Sequence, residues 1–501
     1  MIFNNKIKNI EQVSAQIFEN FALCYGHFNL THPGHLRYLQ QAKGLAKNLV
    51  VAIKSDKSLD EESFGQHFSE TERAESVAYL EIVNHVVILD NYGLGKLINI
   101  LKPNVLVLGR EFKNQSNKGL ALAISDAKKN GRVVFHAGET SYASTQFLHH
   151  NVSEIQRNNI IRFKDICKKN KITSNTLQNK IKKFSDLTLL VIGDTIVDNY
   201  VACDAVGMSA EAPVLVVKEL DKREFIGGAA IVASHVKALG AECHYISVVG
   251  DDDLSNSVEK ILNDRGIHTN LIVDSSRPTT YKTRFMVENQ KLFRVSKIKE
   301  HLISETIEEI FIKKLQDLAP KIDGILVSDF VYGVITPSII SEVYKVANKY
   351  DLKLFGDTQC SSQVGKVTKF KNFDLITPTE KEARIALGDN ESGLEWIANS
   401  LIEKTMTKNL LLKLGSDGFI AYGKNQSGVK QNFPALTSNP IDVTGAGDSL
   451  FAAMAVSLAS DTNLIEASAI GSCVASLSIQ ELGNIPITKE KLVSYIKKVF
   501  S

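Results

Sequence analysis

The chain has 501 residues, of which 44% are hydrophobic and 23% charged, and its formal net charge at pH 7 is +2. Because this length exceeds what one hydrophobic core usually serves, we expect two or three domains. The small net charge gives no reason to expect a nucleic-acid or acidic-membrane partner. The six cysteines form no C-x-x-C pair, no signal peptide is evident, and no run of about 18 apolar residues could span a bilayer, so we expect a cytoplasmic protein without disulfides or structural zinc.

The first 150 residues alternate short apolar strands with helical stretches. Strands are predicted near residues 21–25, 49–53, 85–89, 105–108 and 132–135, and helices near 35–47, 70–81 and 95–101. Continuous apolar strands that alternate with helices are typical of a buried parallel sheet. We therefore predict a doubly wound α/β domain over residues 1–150.

Residues 26–35, with the sequence GHFNLTHPGH, join the first strand to the first helix. An open parallel sheet binds its ligand at such a junction. His32 and His35 can both reach one phosphate there, and they would stabilise charge on an α-phosphate as pyrophosphate leaves. An isolated histidine is more often structural, but this pair, which follows Gly26 and flanks a Pro-Gly turn, favours a catalytic site.

The same segment resembles the H-x-G-H signature of the cytidylyltransferase-like nucleotidyltransferases, and the resemblance extends to about residue 148. It implies nucleotide or phosphate contacts from Gly26, Phe28, Lys43, Arg73, Ser144 and Thr145. Taken singly, each of these could also be a surface charge or a helix cap. Glu139 stands where the glycerol-phosphate cytidylyltransferases carry an arginine, which favours the sugar-phosphate adenylyltransferase branch and ATP over CTP.

Residues 151–184 are rich in Lys and Asn and only sparsely apolar. We interpret them as one or two solvated helices that form a basic linker. A second α/β domain, residues 185–501, then begins with a new apolar strand. Within it, residues 214–217, 279–287 and 292–295 predict a small antiparallel sheet beside the main one.

Residues 442–448 read Asp-Val-Thr-Gly-Ala-Gly-Asp and precede a small, apolar helix. The N–H groups of Gly445, Ala446 and Gly447 can point at one anion, with the helix dipole behind them. Asp448 is then placed to take a proton from a hydroxyl that attacks a γ-phosphate. This segment therefore predicts a small-molecule kinase.

Residues 227–230 and 442–448 resemble the two signatures of the ribokinase-like carbohydrate kinases, and further segments resemble the heptose 7-phosphate kinase branch. The resemblance implies that Asp448 is the catalytic base. It also implies sugar contacts from Asp198, Gly227 and Gly228, nucleotide contacts from Lys413, Gly415 and Gly418, and indirect organisation of Mg²⁺ by Glu382. Lys282 and Arg284 either meet the phosphate of a phosphorylated sugar or are cross-strand surface charges.

Several residues depart from that branch. Ile231 replaces an expected Asn, Tyr332 an expected Lys, Gln359 the Lys of an Asp-Pro-Lys triplet, and Thr379 an Asn. Each lost polar contact would cost about 1–3 kcal/mol for the original ligand. Either the sugar differs from heptose 7-phosphate or the domain is degraded as a kinase, and the intact residues 442–448 favour an active kinase.

Together the two halves resemble the family of bifunctional heptose 7-phosphate kinases and heptose 1-phosphate adenylyltransferases, with the domain order reversed. This resemblance implies Mg²⁺ and ATP, with CTP possible for the first domain, and a nucleotide-activated sugar of the ADP-heptose type for lipopolysaccharide or another surface glycan. By fold analogy we expect a homodimer through the small sheet. The alternatives are a CTP-dependent polyol- or sugar-phosphate cytidylyltransferase fused to a kinase of different substrate, or to a non-catalytic dimerisation module.

Overall fold

The structure is a computed structural model that describes residues 6–13, 19–29, 31, 33–56, 68–89, 93–109, 118–135, 152–212, 214–287, 290–359, 365–423, 429–437 and 439–501. The chain divides into two compact units, residues 1–151 with 389–397, and residues 152–388 with 398–501. Among the described residues, no helix is both long and apolar enough to cross a membrane.

The N-terminal unit is built on a parallel sheet in the order β1-β4-β3-β2-β5-β6. Its strands are β1 Ile7–Asn9, β2 Phe21–Gly26, β3 Asn48–Ile53, β4 His85–Ile88, β5 Val105–Leu108 and β6 Arg132–Phe135, and its helices are α1 Pro33–Lys43, α2 Glu70–Ala78, α3 Leu94–Leu101 and α4 Lys118–Asn130. Helices α1 and α2 pack on one face of the sheet, and α3 and α4 on the other. The predicted doubly wound fold is confirmed, with β1 as an additional short edge strand.

The C-terminal unit has a nine-stranded main sheet in the order β11-β10-β7-β14-β15-β16-β17-β18-β19, parallel except at β17-β18-β19. Its strands are β7 Thr188–Gly193, β10 Glu242–Val249, β11 His268–Val273, β14 Gly324–Asp329, β15 Lys353–Thr358, β16 Leu375–Ile376, β17 Asn409–Lys413, β18 Phe419–Gly423 and β19 Val429–Phe433.

The helices from residue 152 onward are α5 Val152–Lys169, α6 Ser174–Lys182, α7 Ala229–Ala238, α8 Asp253–Asp264, α9 Glu305–Leu318, α10 Pro337–Tyr350, α11 Glu380–Leu387, α12 Leu394–Thr405, α13 Ala446–Ala459, α14 Leu464–Ser478 and α15 Lys489–Phe500. Helices α7, α13, α14 and α15 contribute to one apolar core together with the main sheet.

A small second sheet, in the order β13-β12-β8-β9, forms the lid of this unit. Its strands are β8 Thr195–Met208, β9 Leu215–Gly228, β12 Thr280–Val287 and β13 Gln290–Lys297. The sequence predicted parts of three of these strands as antiparallel. The lid is in fact mixed, because β12 pairs with β8 in parallel. The fourth strand, β8, was not predicted as part of the lid, and its first half is buried like a core strand.

Helices α5 and α6 cover the stretch predicted to be a solvated basic linker. Four of their apolar residues, Phe163, Cys167, Leu177 and Ile181, lie at helical spacing and are fully buried in the core of the C-terminal unit, with Phe163 beside the rings of Phe433 and Phe500. Sparse apolar residues on one stripe are enough to dock a helix whose other faces are polar. These helices are therefore part of the C-terminal unit, and only their outer faces are solvated.

This packing predicts that Phe163→Ala destabilises the C-terminal unit by about 3–5 kcal/mol, the cost of emptying a buried aromatic site. Ile161→Ala on the same helix is the matched control, since Ile161 is 48% exposed. Chemical denaturation measures both free energies of unfolding. Equal, small effects would mean that α5 only connects the two units.

Candidate active sites

The glycine pair at the end of β9 is required by close contacts. Gly228 has φ +63°, and a Cβ there would lie 2.3 Å from the Asp194 carbonyl oxygen. A Cβ on Gly227 would lie 2.6 Å from Asp198 Oδ2. The pair thus lets α7 begin directly against the Asp198 side chain, at the junction of the lid and the main sheet.

Asp198 is buried and already has two side-chain partners. Arg284 Nη1 donates to its Oδ1, and Asn484 Nδ2 donates to its Oδ2 at 3.2 Å. The Arg284 guanidinium also lies 5.3 Å from the ring centroid of Tyr200. The charge of Arg284 is therefore compensated by Asp198, and this arginine is neither a surface charge nor an unpaired cation.

Lys282 lies on the same lid strand, two residues before Arg284, but differs from it in having no carboxylate partner among the described residues. It is 3% exposed, and its Nζ lies 4.9 Å from the Tyr332 ring centroid and 5.5 Å from that of Phe330. Among the described residues it has neither a hydrogen-bond acceptor nor an ion-pair partner. Aromatic faces stabilise a buried ammonium only partly, so Lys282 is a buried cation available to an anionic ligand.

The loop before α13 is held by Asp442. Its carboxylate accepts hydrogen bonds from the Thr444 N–H at 3.0 Å and from the Tyr200 hydroxyl at 2.9 Å. Lys291 of lid strand β13 bonds both Asp442 and Thr444. Gly445 follows with φ +79°, where a Cβ would lie 2.3 Å from Asn484 Oδ1, and α13 begins at Ala446. The lid and the predicted anion-binding loop are thus directly connected.

Asp448 lies in the first turn of α13 and is 6% exposed. Gln359 Nε2 donates to its Oδ1 at 2.5 Å. Burial, with the nearby charges of Asp357 and Asp198, raises the pKa of Asp448 to about 8 against the opposing effect of Lys413 and Lys282. A carboxylate with a pKa near neutrality is suited to general-base chemistry.

Lys413 ends β17 beneath the anion-binding loop. Its Nζ bonds Asp357 Oδ1 at 2.8 Å, and Thr377 Oγ1 donates to the same oxygen at 2.7 Å. A Cβ on Gly447 would lie 3.4 Å from this ammonium. Burial acts to lower the pKa of Lys413, but the carboxylates of Asp357, Glu382 and Asp448 outweigh it and raise the pKa.

The remaining predicted residues of this unit shape the backbone. Gly415 and Gly418 have φ +64° and +89° in the turn after β17, and a Cβ on Gly418 would lie 2.1 Å from the Phe433 carbonyl oxygen. Glu382 forms a capping box with Thr379 at the start of α11, because its Oε2 accepts from the Thr379 N–H at 2.8 Å. None of the three therefore needs a ligand to explain its presence.

In the N-terminal unit, Gly26, Phe28 and His35 lie together at the carboxyl end of β2. Phe28 is buried with φ +54°, and its ring centroid is 4.9 Å from that of His35 in the first turn of α1. His35 is thus held on an aromatic ring at the ligand-binding edge of the sheet. His32, Ser144 and Thr145 lie outside the described residues.

The resemblance implied a phosphate contact from Arg73, but the structure does not place its side chain for one. It is fully buried, and its guanidinium donates to the carbonyl oxygens of His27, Lys54 and Phe68 and to Asp56 Oδ1. These four bonds tie the ends of three segments together. Arg73 is a structural clamp that holds the loop after β2, at His27, to the segments at Lys54 and Phe68.

Lys43 is also placed elsewhere than predicted. It lies in the last turn of α1, where its Nζ bonds the Lys47 carbonyl oxygen at 2.7 Å and Asn84 Oδ1 at 2.8 Å. Asn84 directly precedes β4, so these contacts lie at the amino edge of the parallel sheet. The structure therefore separates Lys43 from His35, which lies at the carboxyl edge.

Comparison with known proteins identifies both halves of the chain. A model described as pfkB family carbohydrate kinase matches residues 186–491, and one described as cytidylyltransferase-like matches residues 23–174. Because the first match covers more than half of the chain, the chain belongs to the pfkB family of carbohydrate kinases. With a cytidylyltransferase-like domain before it, the protein is a transferase of two fused types.

Among curated proteins, the chain is similar to the "Bifunctional protein HldE" of Campylobacter fetus, at 32% identity over 63% of this chain and 69% of the relative. It is also similar to the protein of the same name from Trichlorobacter lovleyi, at 29% identity over 64% of this chain and 65% of the relative. The matches thus span about two thirds of the length of these relatives.

Among solved structures, phosphofructokinase-2 from Escherichia coli aligns with a TM-score of 0.53 and 14% identity, over 63% of this chain and 100% of that one. At this identity the likeness shows the fold alone, and it confirms the predicted ribokinase-like architecture of the C-terminal unit.

The burial of Asp448 predicts a pH-dependent stability difference. Its pKa is about 8 when folded and near 3.8 as a free side chain, so the folded state binds more protons and loses stability as pH rises between these values. Asp448→Asn lacks this titration, and its melting temperature relative to wild type should increase from pH 5 to pH 8.

Asp461→Asn is the matched control. The Lys353 hydrogen bond lowers the pKa of Asp461, so its charge is constant over this pH range. Its offset from wild type should stay flat in thermal unfolding. A flat offset for Asp448→Asn as well would contradict the raised pKa.

Proposed function

We propose that the protein is a bifunctional sugar-phosphate kinase and sugar-1-phosphate nucleotidyltransferase that makes a nucleotide-activated sugar of the ADP-heptose type. The observation that carries the kinase half is the pattern of charge pairing in its pocket. Arg284 is paired with Asp198, and Lys413 with Asp357. Among the described residues, Asp448 and Lys282 have no ion-pair partner, as a base and a phosphate-binding cation require.

In the kinase reaction, a sugar hydroxyl transfers its proton to Asp448 as its oxygen attacks the γ-phosphorus of ATP. The bond between that phosphorus and the β,γ-bridging oxygen breaks, and ADP leaves. The N–H groups of Gly445, Ala446 and Gly447 stabilise the charge on the transferred phosphoryl group. Lys282 holds the phosphate already present on the sugar, and Asp198 binds sugar hydroxyls next to Gly227 and Gly228.

Mg²⁺ fits the residues present. Asp357 Oδ2 is buried without a hydrogen-bond partner among the described residues, and Glu382 lies close enough to influence Lys413. No group of three His, Cys, Asp or Glu residues suited to a metal occurs in the described part of the chain, but Mg²⁺ bound with a triphosphate needs only one or two carboxylates. When bound, it would neutralise triphosphate charge.

In the transferase reaction, the anomeric phosphate of the sugar attacks the α-phosphorus of a nucleoside triphosphate, and pyrophosphate leaves. The attacking oxygen is already anionic, so no base is needed. His35 and His32 would stabilise charge on the α-phosphate. We propose ATP as the nucleotide and CTP as the less favoured alternative, because Glu139 replaces the arginine of the glycerol-phosphate enzymes.

We propose that the two domains of this chain, cytidylyltransferase-like first and kinase second, stand in the opposite order to those of the bifunctional relatives. A single alignment covers 63% of this chain, which is expected when two shared domains occur in opposite orders. The proposed substrates, a nucleoside triphosphate and a sugar phosphate, are cytoplasmic metabolites. Ile231 and Tyr332 favour a sugar other than heptose 7-phosphate as the second candidate, since Ile231 cannot hydrogen-bond a sugar and Tyr332 lacks the positive charge of the expected lysine.

Two substitutions test the two activities separately. Asp448→Asn should lower the rate of sugar-dependent ADP formation by a factor of about 100 or more, because the base is lost. It should leave pyrophosphate release from a supplied sugar 1-phosphate unchanged. His35→Ala should do the reverse. Coupled assays with ATP and CTP against a panel of sugar phosphates measure both. Undiminished ADP formation by Asp448→Asn would refute the kinase assignment.

We also propose a homodimer formed through the lid. Its strands carry exposed apolar side chains, at Val206, Met208, Val216, Phe293 and Val295, and exposed apolar surface favours association. Replacing Met208 and Phe293 by Asp should halve the mass measured by light scattering, whereas replacing the exposed Leu122 of α4 should leave it unchanged. A wild-type monomer at micromolar concentration would contradict the proposal.

A further inference from the structure

Gln359 extends from the carboxyl end of β15 toward the candidate base. Its backbone N–H donates to the Asp329 carbonyl oxygen at 2.9 Å, which continues the pairing of β14 with β15. Its side-chain Nε2 donates to Asp448 Oδ1 at 2.5 Å. The amide is therefore presented to Asp448 from a backbone fixed by the main sheet.

This contact is the only side-chain hydrogen bond that any described residue makes to the Asp448 carboxylate. Of the two nearby ammonium groups, Lys413 bonds Asp357, and Lys282 lies beside two aromatic rings without a hydrogen bond to Asp448. The Gln359 amide thus fixes the rotation of the carboxylate. Oδ1 is occupied, and Oδ2 is left to accept a proton from a bound hydroxyl.

The donor is also electrically neutral. A cation beside a carboxylate lowers the pKa of that carboxylate by about 1–3 units. A neutral amide can orient the same oxygen without this loss of basicity. Burial of a base that is oriented but not ion-paired then leaves it able to take a proton near neutral pH.

We propose that Gln359 is a positioning residue of the kinase site, which aims Oδ2 of Asp448 at the reacting hydroxyl while preserving the basicity of the carboxylate. The inference rests on the proposed kinase function. In the step it supports, the proton moves from the hydroxyl to Oδ2 as the new oxygen–phosphorus bond forms and the bond to ADP breaks. Gln359 itself exchanges no proton.

The test is the pH dependence of kcat/KM for sugar-dependent ADP formation in three variants. Gln359→Lys should move the ascending limb to lower pH by about one unit or more, with a lower plateau because the base is weaker. Gln359→Met keeps the length but removes the donor, and should reduce the plateau about tenfold or more without moving the limb to lower pH.

Gln316→Lys is the matched control, because the exposed Gln316 also donates its amide to a carboxylate, that of Glu342. It adds the same charge outside the site and should leave the profile unchanged. Profiles of both Gln359 variants that superimpose on wild type would overturn the proposal, and Gln359→Met alone does so if the lysine variant fails to fold. Failure of the kinase function itself is distinct, since wild type would then show no sugar-dependent ADP formation.

Discussion

The C-terminal site depends on how buried charges are paired. Removing a charge from water is costly unless a partner compensates it, and two neutral pairs, Asp198–Arg284 and Asp357–Lys413, meet this condition. Beside these pairs, Asp448 and Lys282 have no ion-pair partner in the described part of the chain. The uncompensated carboxylate and ammonium are the parts of the pocket that a substrate hydroxyl and phosphate would complete.

The lid is also hydrogen-bonded to the predicted anion-binding loop. Lys291 bonds Asp442 and Thr444 from strand β13, while β12 carries Arg284, which bonds Asp198, and Lys282, whose charge acts on Asp448. The chain elements that would contact the sugar therefore also stabilise the loop that would contact the transferred phosphate. A displacement of the lid would change both contacts, so sugar binding and phosphoryl transfer are expected to be coupled.

The sequence predicted the elements whose signal is local. Apolar strands alternating with helices indicated both parallel sheets, and the Asp442–Asp448 segment predicted a helix N-terminus with a carboxylate beside it. Side-chain partners distant in sequence could not be predicted. Arg73 matched a phosphate-binding position but is a fully buried clamp, and Lys43 lies at the opposite sheet edge. Gln359 differs from the lysine that the resemblance led us to expect, but only the fold shows that its side chain reaches Asp448.

The role proposed for Lys282 is that of a buried cation that selects a phosphorylated sugar. The most direct measurement is sugar-dependent ADP formation with a sugar phosphate and with the same sugar lacking its phosphate, in wild type and in Lys282→Met. We expect wild type to prefer the phosphorylated sugar by at least about 100-fold in kcat/KM. The Lys282→Met variant should lose most of this preference and keep its activity on the unphosphorylated sugar. An unchanged preference in Lys282→Met would contradict this role.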